Sequence, residues 1–316
     1  MKLSTLIEHR NTVAAVNFSE YIALGQKISD VSDMLERYGT ELAHGTVNQL
    51  APEAILIETQ VEKMDSIINE YLVQIERQIL ELEPEWLAAS DLVYQDIKYD
   101  NAEWTLNRLK NVEEKRSTTA SKLLLDRISI YPTWEHTAMQ VHPGFGFATE
   151  LLKGSDPLYF VDTREDLFDV IKEKWNPMYQ NRLRYYVIDE FTKEKRFAKL
   201  PKEQFGFILA LDYFTYRTVD VLTEYLTEFY NLLKPGGVAF FTFNNCDVIE
   251  GCRLLEHKFA CYATEKMVKS IVDNLGYEML HFEVVTECGT SWIEIKKPGT
   301  LKTLRGGQTV SQIKSI

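Results

Sequence analysis

The sequence predicts an α/β domain behind a separate all-α, partly coiled-coil-like N-terminal region, and two observations predict it. From Ile57 the apolar residues recur at Val61, Met64, Ile68, Tyr71, Ile75, Ile79 and Leu82. These steps of four and three, with charge between them, describe a helix with one apolar stripe. After Tyr131 the texture changes to short β-rich apolar runs alternating with amphipathic segments, the pattern of a parallel sheet covered by helices.

Bulk properties narrow the class. The 316 residues exceed one average domain of about 100–200 residues, so two domains are expected. Hydrophobic residues at 45% and charged residues at 26% match ordinary globular usage and exclude a disordered or fibrous chain. With 47 acidic against 35 basic residues the net charge is −12 and the isoelectric point about 5.1. Such a surface repels phosphate backbones, so nucleic acid is not the expected partner. The opening MKLSTLIEHRNTVAAV lacks the apolar core of a secretion signal, and no later run reaches the roughly 20 apolar residues that cross a bilayer. No membrane partner and a cytoplasmic location, in a host cell or a virion, are expected. Cys246, Cys252, His257 and Cys261 lie close together in the sequence, but their spacing matches no paired zinc-ligand pattern. Unremarkable thiols and no metal are expected.

Residues 1–129 read as helical. Pro52 sits near the start of the striped helix and Pro84 marks its end or a kink, because proline lacks the helical N–H and crowds the preceding turn. Some 30 residues would make a rod of about 45 Å. A second helical stretch runs from Ala102 to Ile128, opening with Trp104, Leu106 and Leu109 and closing with Leu123, Leu124 and Leu125. Earlier, Ser29 or Asp30 caps a segment ending near Gly39. The stripe has two readings, an intramolecular bundle or a homo-oligomer or larger assembly, and sequence does not separate them.

Residues 130–298 hold seven expected strands: 138–141, 158–161, 185–188, 207–211, 238–243, 280–285 and 291–295. Helices are expected at 147–153, 164–174, 220–233 and 264–275. The first strand runs into His142, Pro143, Gly144, Phe145 and Gly146. Two glycines there let backbone approach a ligand, and a following helix start offers free N–H groups; ordinary turns carry such glycine pairs too. The next strand ends at Asp162. A carboxylate there accepts both ribose hydroxyls of an adenosine cofactor, or is simply a solvated strand end.

Four stretches resemble the class I S-adenosylmethionine-dependent methyltransferases. Met139–Gly146 is similar to that family's cofactor loop, and Asp162 falls at its ribose-holding position. Phe205–Phe214 resembles the fourth strand and the loop facing the methyl group, and Leu232–Gly237 the turn into a long buried strand. The resemblance implies a seven-stranded Rossmann-like methyltransferase sheet ending in an antiparallel hairpin, with S-adenosylmethionine as cofactor. It implies that Gln140, Pro143, Gly144, Gly146, Asp162, Asp189 and Leu211 bind that cofactor, with Asp189 near the adenine. The stretches Asn244–Asp247 and Ser291–Gly299 are also similar to methyltransferase-like proteins of tailed bacteriophages. Two positions depart from the pattern: Gln140 stands where the family has an acid, and His142 where it has a glycine.

Methyl transfer from a sulfonium is an in-line displacement, driven largely by holding the nucleophile about 3 Å from the methyl carbon in a water-poor cleft. A base, where one exists, is sought among His142, Asp212 and Tyr213, with Asn244, Asn245 and Asp247 as further loop candidates. His142 titrates nearest neutrality, or merely fills the missing glycine's place. Tyr131, Trp134, Tyr213 and Phe214 wall the cleft or form core. The acceptor is unidentified. The rival reading is a non-catalytic structural or virion-assembly protein carrying a degenerate methyltransferase-like module. The tail 299–316, basic and without acids, reads as a flexible end or a docking segment.

Overall fold

The computed structural model describes residues 2–19, 22–24, 26–27, 30, 41–97, 107, 110–111, 114–144, 146–192 and 196–301, with backbone alone at 41–54 and 174. The expected segment ending near Gly39, the opening residues Trp104, Leu106 and Leu109, and the tail beyond Leu301 lie outside them. The chain forms two compact units, Met1–Pro84 and Glu85–Ile316.

In the first unit, helix α1 (Leu3–Ala14) buries Leu3, Leu6 and Ile7, spaced so that one face is apolar. Helix α2 (Glu41–Ile97) has 57 residues, of which those up to Pro84 belong to this unit and those from Glu85 to the second. Arg10 of α1 pairs with Glu76 of α2 at 3.5 Å. On the stripe, Val61, Ile75 and Ile79 are buried, whereas Met64 and Tyr71 are 47% exposed. The helix neither starts near Pro52 nor ends at Pro84, contrary to the sequence expectation. The carbonyl that Pro84 cannot serve belongs to Leu80, an exposed residue, where the lost bond costs less than in a buried helix.

The second unit is built on a seven-stranded sheet of order β3-β2-β1-β4-β5-β7-β6. Its strands are β1 (Thr137–Val141), β2 (Leu158–Asp162), β3 (Leu183–Val187), β4 (Phe205–Ala210), β5 (Leu233–Asn244), β6 (Glu278–Val285) and β7 (Thr290–Lys296). The first five run parallel, and β7 lies antiparallel between β5 and β6. All seven expected strands are present, with ends shifted by up to five residues. The largest shift is in β5, which takes in Lys234-Pro235-Gly236-Gly237. The expected turn survives as a register break opposite Phe205 and Phe207, with Gly236 at φ +80°.

Alternation along the strands loads both faces. On one side Met139, Val141, Ile208 and Phe241 pack with Tyr225 and Phe229 of α5 (Val219–Leu232) and Val268 and Val272 of α7 (Glu265–Asn274). On the other, Ala138, Phe160, Leu209 and Phe240 pack with Leu124 and Ile128 of α3 (Thr118–Ile128) and Phe168 and Ile171 of α4 (Leu167–Lys174). A short α6 (Ile249–Glu256) follows β5 and was not anticipated.

One expected helix is replaced. After the glycine bend, residues 149–154 form a short 3-10 segment with no side-chain cap, because Ala148 at the cap position has no polar side chain; the Thr149 hydroxyl donates to Gln140. A six-residue 3-10 segment offers no aligned α-helical dipole.

At the amino end of β1, burial first, and then the charge of Lys234, hold the His136 imidazole below its usual value. The fold therefore accommodates the neutral ring: this contribution is complete above the unfolded pKa of about 6.5 and is lost as pH falls through the folded value. His136→Gln is expected to remove that part of the acid loss in urea unfolding followed from neutral pH downward. An unchanged pH slope contradicts it.

Candidate functional site

In an open parallel sheet, ligands gather outside the carboxyl ends of the strands where the winding reverses. Here the reversal lies between β1 and β4, and all three expected catalytic residues stand there. His142 follows β1, while Asp212 and Tyr213 follow β4. His142 and Asp212 both hold positive φ, 52° and 55°, a conformation that costs a non-glycine residue roughly 1–3 kcal/mol. The family-like glycine missing at 142 is thus missing where the backbone still asks for one.

The His142 ring does more than fill space. Its Nδ1 lies 2.8 Å from Asp162 Oδ2, and its Nε2 is 3.3 Å from an Arg217 guanidinium nitrogen. The ring packs on Tyr213 with centroids 4.2 Å apart and planes tilted by 34°. Asp162 is 0% exposed; its Oδ1 accepts from the Arg164 amide at 3.1 Å and more distantly from the Thr163 hydroxyl. Among the described residues, Oδ2 has no hydrogen-bond partner, although the imidazole lies 2.8 Å from it.

Beyond Arg217 the network continues inward. The guanidinium binds both oxygens of Glu190 at 2.8 and 2.9 Å and lies 4.0 Å over the Tyr213 ring. The Tyr213 hydroxyl donates to Glu190 at 2.9 Å and pairs with the Tyr225 hydroxyl. Burial works against the Glu190 carboxylate, but Arg217 outweighs it and holds its pKa below the usual range. Burial, aided by the charge of Glu190, pushes the Tyr213 hydroxyl well up, so it is a donor and not a base. Asp212 is engaged as well: Arg116 reaches both its oxygens at 2.8 and 3.1 Å. Its amide donates to Thr242 Oγ1 at 2.6 Å.

A cover lies over this edge. In the last turns of α2, the Ser90 hydroxyl accepts from the Tyr262 amide at 2.7 Å. Tyr94 packs on Phe191 with centroids 5.6 Å apart, and burial, then the nearby Glu190 charge, raises its hydroxyl.

The expected cofactor residues divide. Gln140 is buried and accepts from Thr149 at 3.0 Å. Gly144 and Gly146 keep positive φ, 52° and 75°, but a Cβ on Gly146 would meet Thr149 Oγ1 at 3.1 Å and Ile171 Cδ1 at 3.2 Å. The bare backbone at Gly146 is covered by the protein's own side chains. Pro143 accepts the Gly146 amide at 2.7 Å, and Leu211 is core. Asp189 is exposed and accepts from the Phe191 amide; the acid buried at this strand end is its neighbour Glu190. Asp189, Ile188, Arg196 and Lys199 line a cavity of about 220 Å³, smaller than the roughly 300–1,000 Å³ of small-molecule pockets. Tyr131 stacks on Phe207 and bonds Glu294, and Trp134 is 55% exposed, so neither walls the edge. Asn244 and Asn245 are tied to Gly251, Cys261 and Ser291. Among the described residues, no three His, Cys, Asp or Glu side chains gather as metal ligands.

S-adenosylmethionine therefore does not fit the site as folded. The carboxylate that would hold its ribose is fully buried and the imidazole stands on it.

No family model matches the chain, and no curated protein matches it by sequence. Solved structures match by shape. One is the complex of the Haloferax volcanii Trm112 methyltransferase activator with a protein assigned as a methyltransferase by name only: 15% identity, 63% of this chain and 97% of that one, TM-score 0.50. A protein described as exported, from Bordetella parapertussis, is 14% identical over 63% of this chain and 80% of that one, with TM-score 0.48. A Methanosarcina mazei protein described as a SAM-dependent methyltransferase is 14% identical over 54% and 95%, with TM-score 0.43. At such identity the likeness establishes the fold, a Rossmann-like methyltransferase sheet, and the Haloferax structure carries it.

Proposed function

We propose that the α/β unit is a class I methyltransferase-fold module whose methyl-donor cleft is closed by its own side chains, and that the chain acts in assembly without transferring methyl groups. The observation supporting this is the 2.8 Å contact of His142 with a fully buried Asp162. Arg217 and Glu190 form the buried, bidentate ion pair behind this contact, and breaking such a pair leaves a buried charge uncompensated, a cost that only a well-matched ligand offsets. The helical region supports an assembly role: Leu56, Met64, Ile67 and Tyr71 of α2 are exposed apolar side chains, of the kind that helical partners cover.

Methyl transfer to an unidentified acceptor is the second reading. It draws on the position of Asp212 at the winding reversal and of Asp162 at the end of the neighbouring β2, and requires the imidazole to leave on binding. Calorimetric titration separates the two. With S-adenosylmethionine or S-adenosylhomocysteine, the closed-cleft reading expects no saturable heat up to about 1 mM, an affinity no better than about −4 kcal/mol. Stoichiometric micromolar binding favours methyl transfer.

A further inference from the structure

We infer that His142 is the gate of this cleft, a single side chain standing where the vicinal diol of a ribonucleoside would meet Asp162. The inference rests on the closed-cleft reading and adds which residue does the closing and what chemistry lies behind it. A strand-end carboxylate accepts two adjacent hydroxyls, and Oδ1 of Asp162 is already oriented by the Arg164 amide at 3.1 Å. Oδ2 faces the imidazole at 2.8 Å. Behind that ring lie the flat face of Tyr213, with centroids 4.2 Å away, and Arg217, itself held by Glu190. Removal of the imidazole thus uncovers an acceptor and an aromatic face; Arg217 loses its 3.3 Å contact with Nε2 and keeps its pairing with Glu190.

The backbone points to the same residue. His142 holds φ +52°, which glycine adopts freely, so His142→Gly relieves backbone strain while it vacates the ring. A cavity left by a deleted ring, lined by polar groups, takes up the missing fragment from solution.

The test uses the full chain, the His142→Gly variant, and imidazole and adenosine as probes in thermal-shift and calorimetric titrations. Imidazole is expected to raise the melting temperature of the variant and not that of the wild type. Adenosine is expected to bind the variant at least about tenfold more tightly than the wild type, because the competent state no longer competes with the ring. Adding Asp162→Asn should abolish that gain. A variant that accepts imidazole but not adenosine overturns the gate inference and leaves the closed cleft standing. Wild type and variant binding adenosine equally well overturns the closed-cleft reading itself. If His142→Gly does not fold, His142→Asn, which tolerates positive φ and is shorter, is measured against the same outcomes.

Discussion

Arg217→Met is expected to destabilise the protein by about 3–5 kcal/mol, the cost of removing one partner from a buried ion pair. Arg217 and Glu190 are nearly inaccessible, with side-chain exposures of 5% and 1%, and methionine leaves the Glu190 carboxylate without its bidentate partner. The loss has a pH signature. Because Arg217 holds the folded pKa of Glu190 below the usual range, the pair's contribution is present above the unfolded value of about 4.3 and is lost as pH falls through the folded one. The difference between wild type and variant in urea unfolding should therefore be largest near neutrality and shrink in acid. A double replacement, Arg217→Met with Glu190→Leu, removes both charges and should recover much of the loss. A single-variant change below about 1 kcal/mol would mean that the pair is solvated, as surface pairs are.

Gly251→Ala is expected to cost about 3 kcal/mol or more, at or beyond the upper end of ordinary overpacking. A Cβ at this position would stand 2.0 Å from the Asn245 carbonyl oxygen and 3.0 Å from that of Gly289. Neither neighbour is a side chain that can turn aside. The same contact orders the loop after β5, where the Asn244 amide donates to the Gly251 carbonyl at 3.1 Å and the Asn245 N–H to that of Gly289 at 2.9 Å. Chemical denaturation of the variant measures the cost; a loss under about 0.5 kcal/mol, as at an unconstrained surface site, contradicts the packing.

The sheet was legible because its strands are short apolar runs separated by glycine, proline and charge: Leu158–Val161 and Phe207–Ala210 announce themselves. That His142, Asp212 and Tyr213 follow strand ends was readable from the strand positions, while the winding reversal that gathers them is seen in the fold. Pro84 misled because its local penalty says nothing of whether water can reach the Leu80 carbonyl. The closure was harder to read. Glu190, Arg217 and Arg116 look in sequence like solvated charges, and only the fold buries them in pairs. Asp189 stands out because it closes the strand 185–188 in sequence, whereas the acid the fold buries there is Glu190, one residue on. One signal was present: histidine in place of a glycine at 142 marks the residue that stands on Asp162.

A crystal structure of the full chain grown with saturating S-adenosylhomocysteine examines that contact directly. The expected result is the His142 ring against Asp162, with no nucleoside at the carboxyl ends of β1 and β2. Density for a ribose whose hydroxyls bind Asp162, with the imidazole turned away, would contradict the closed cleft.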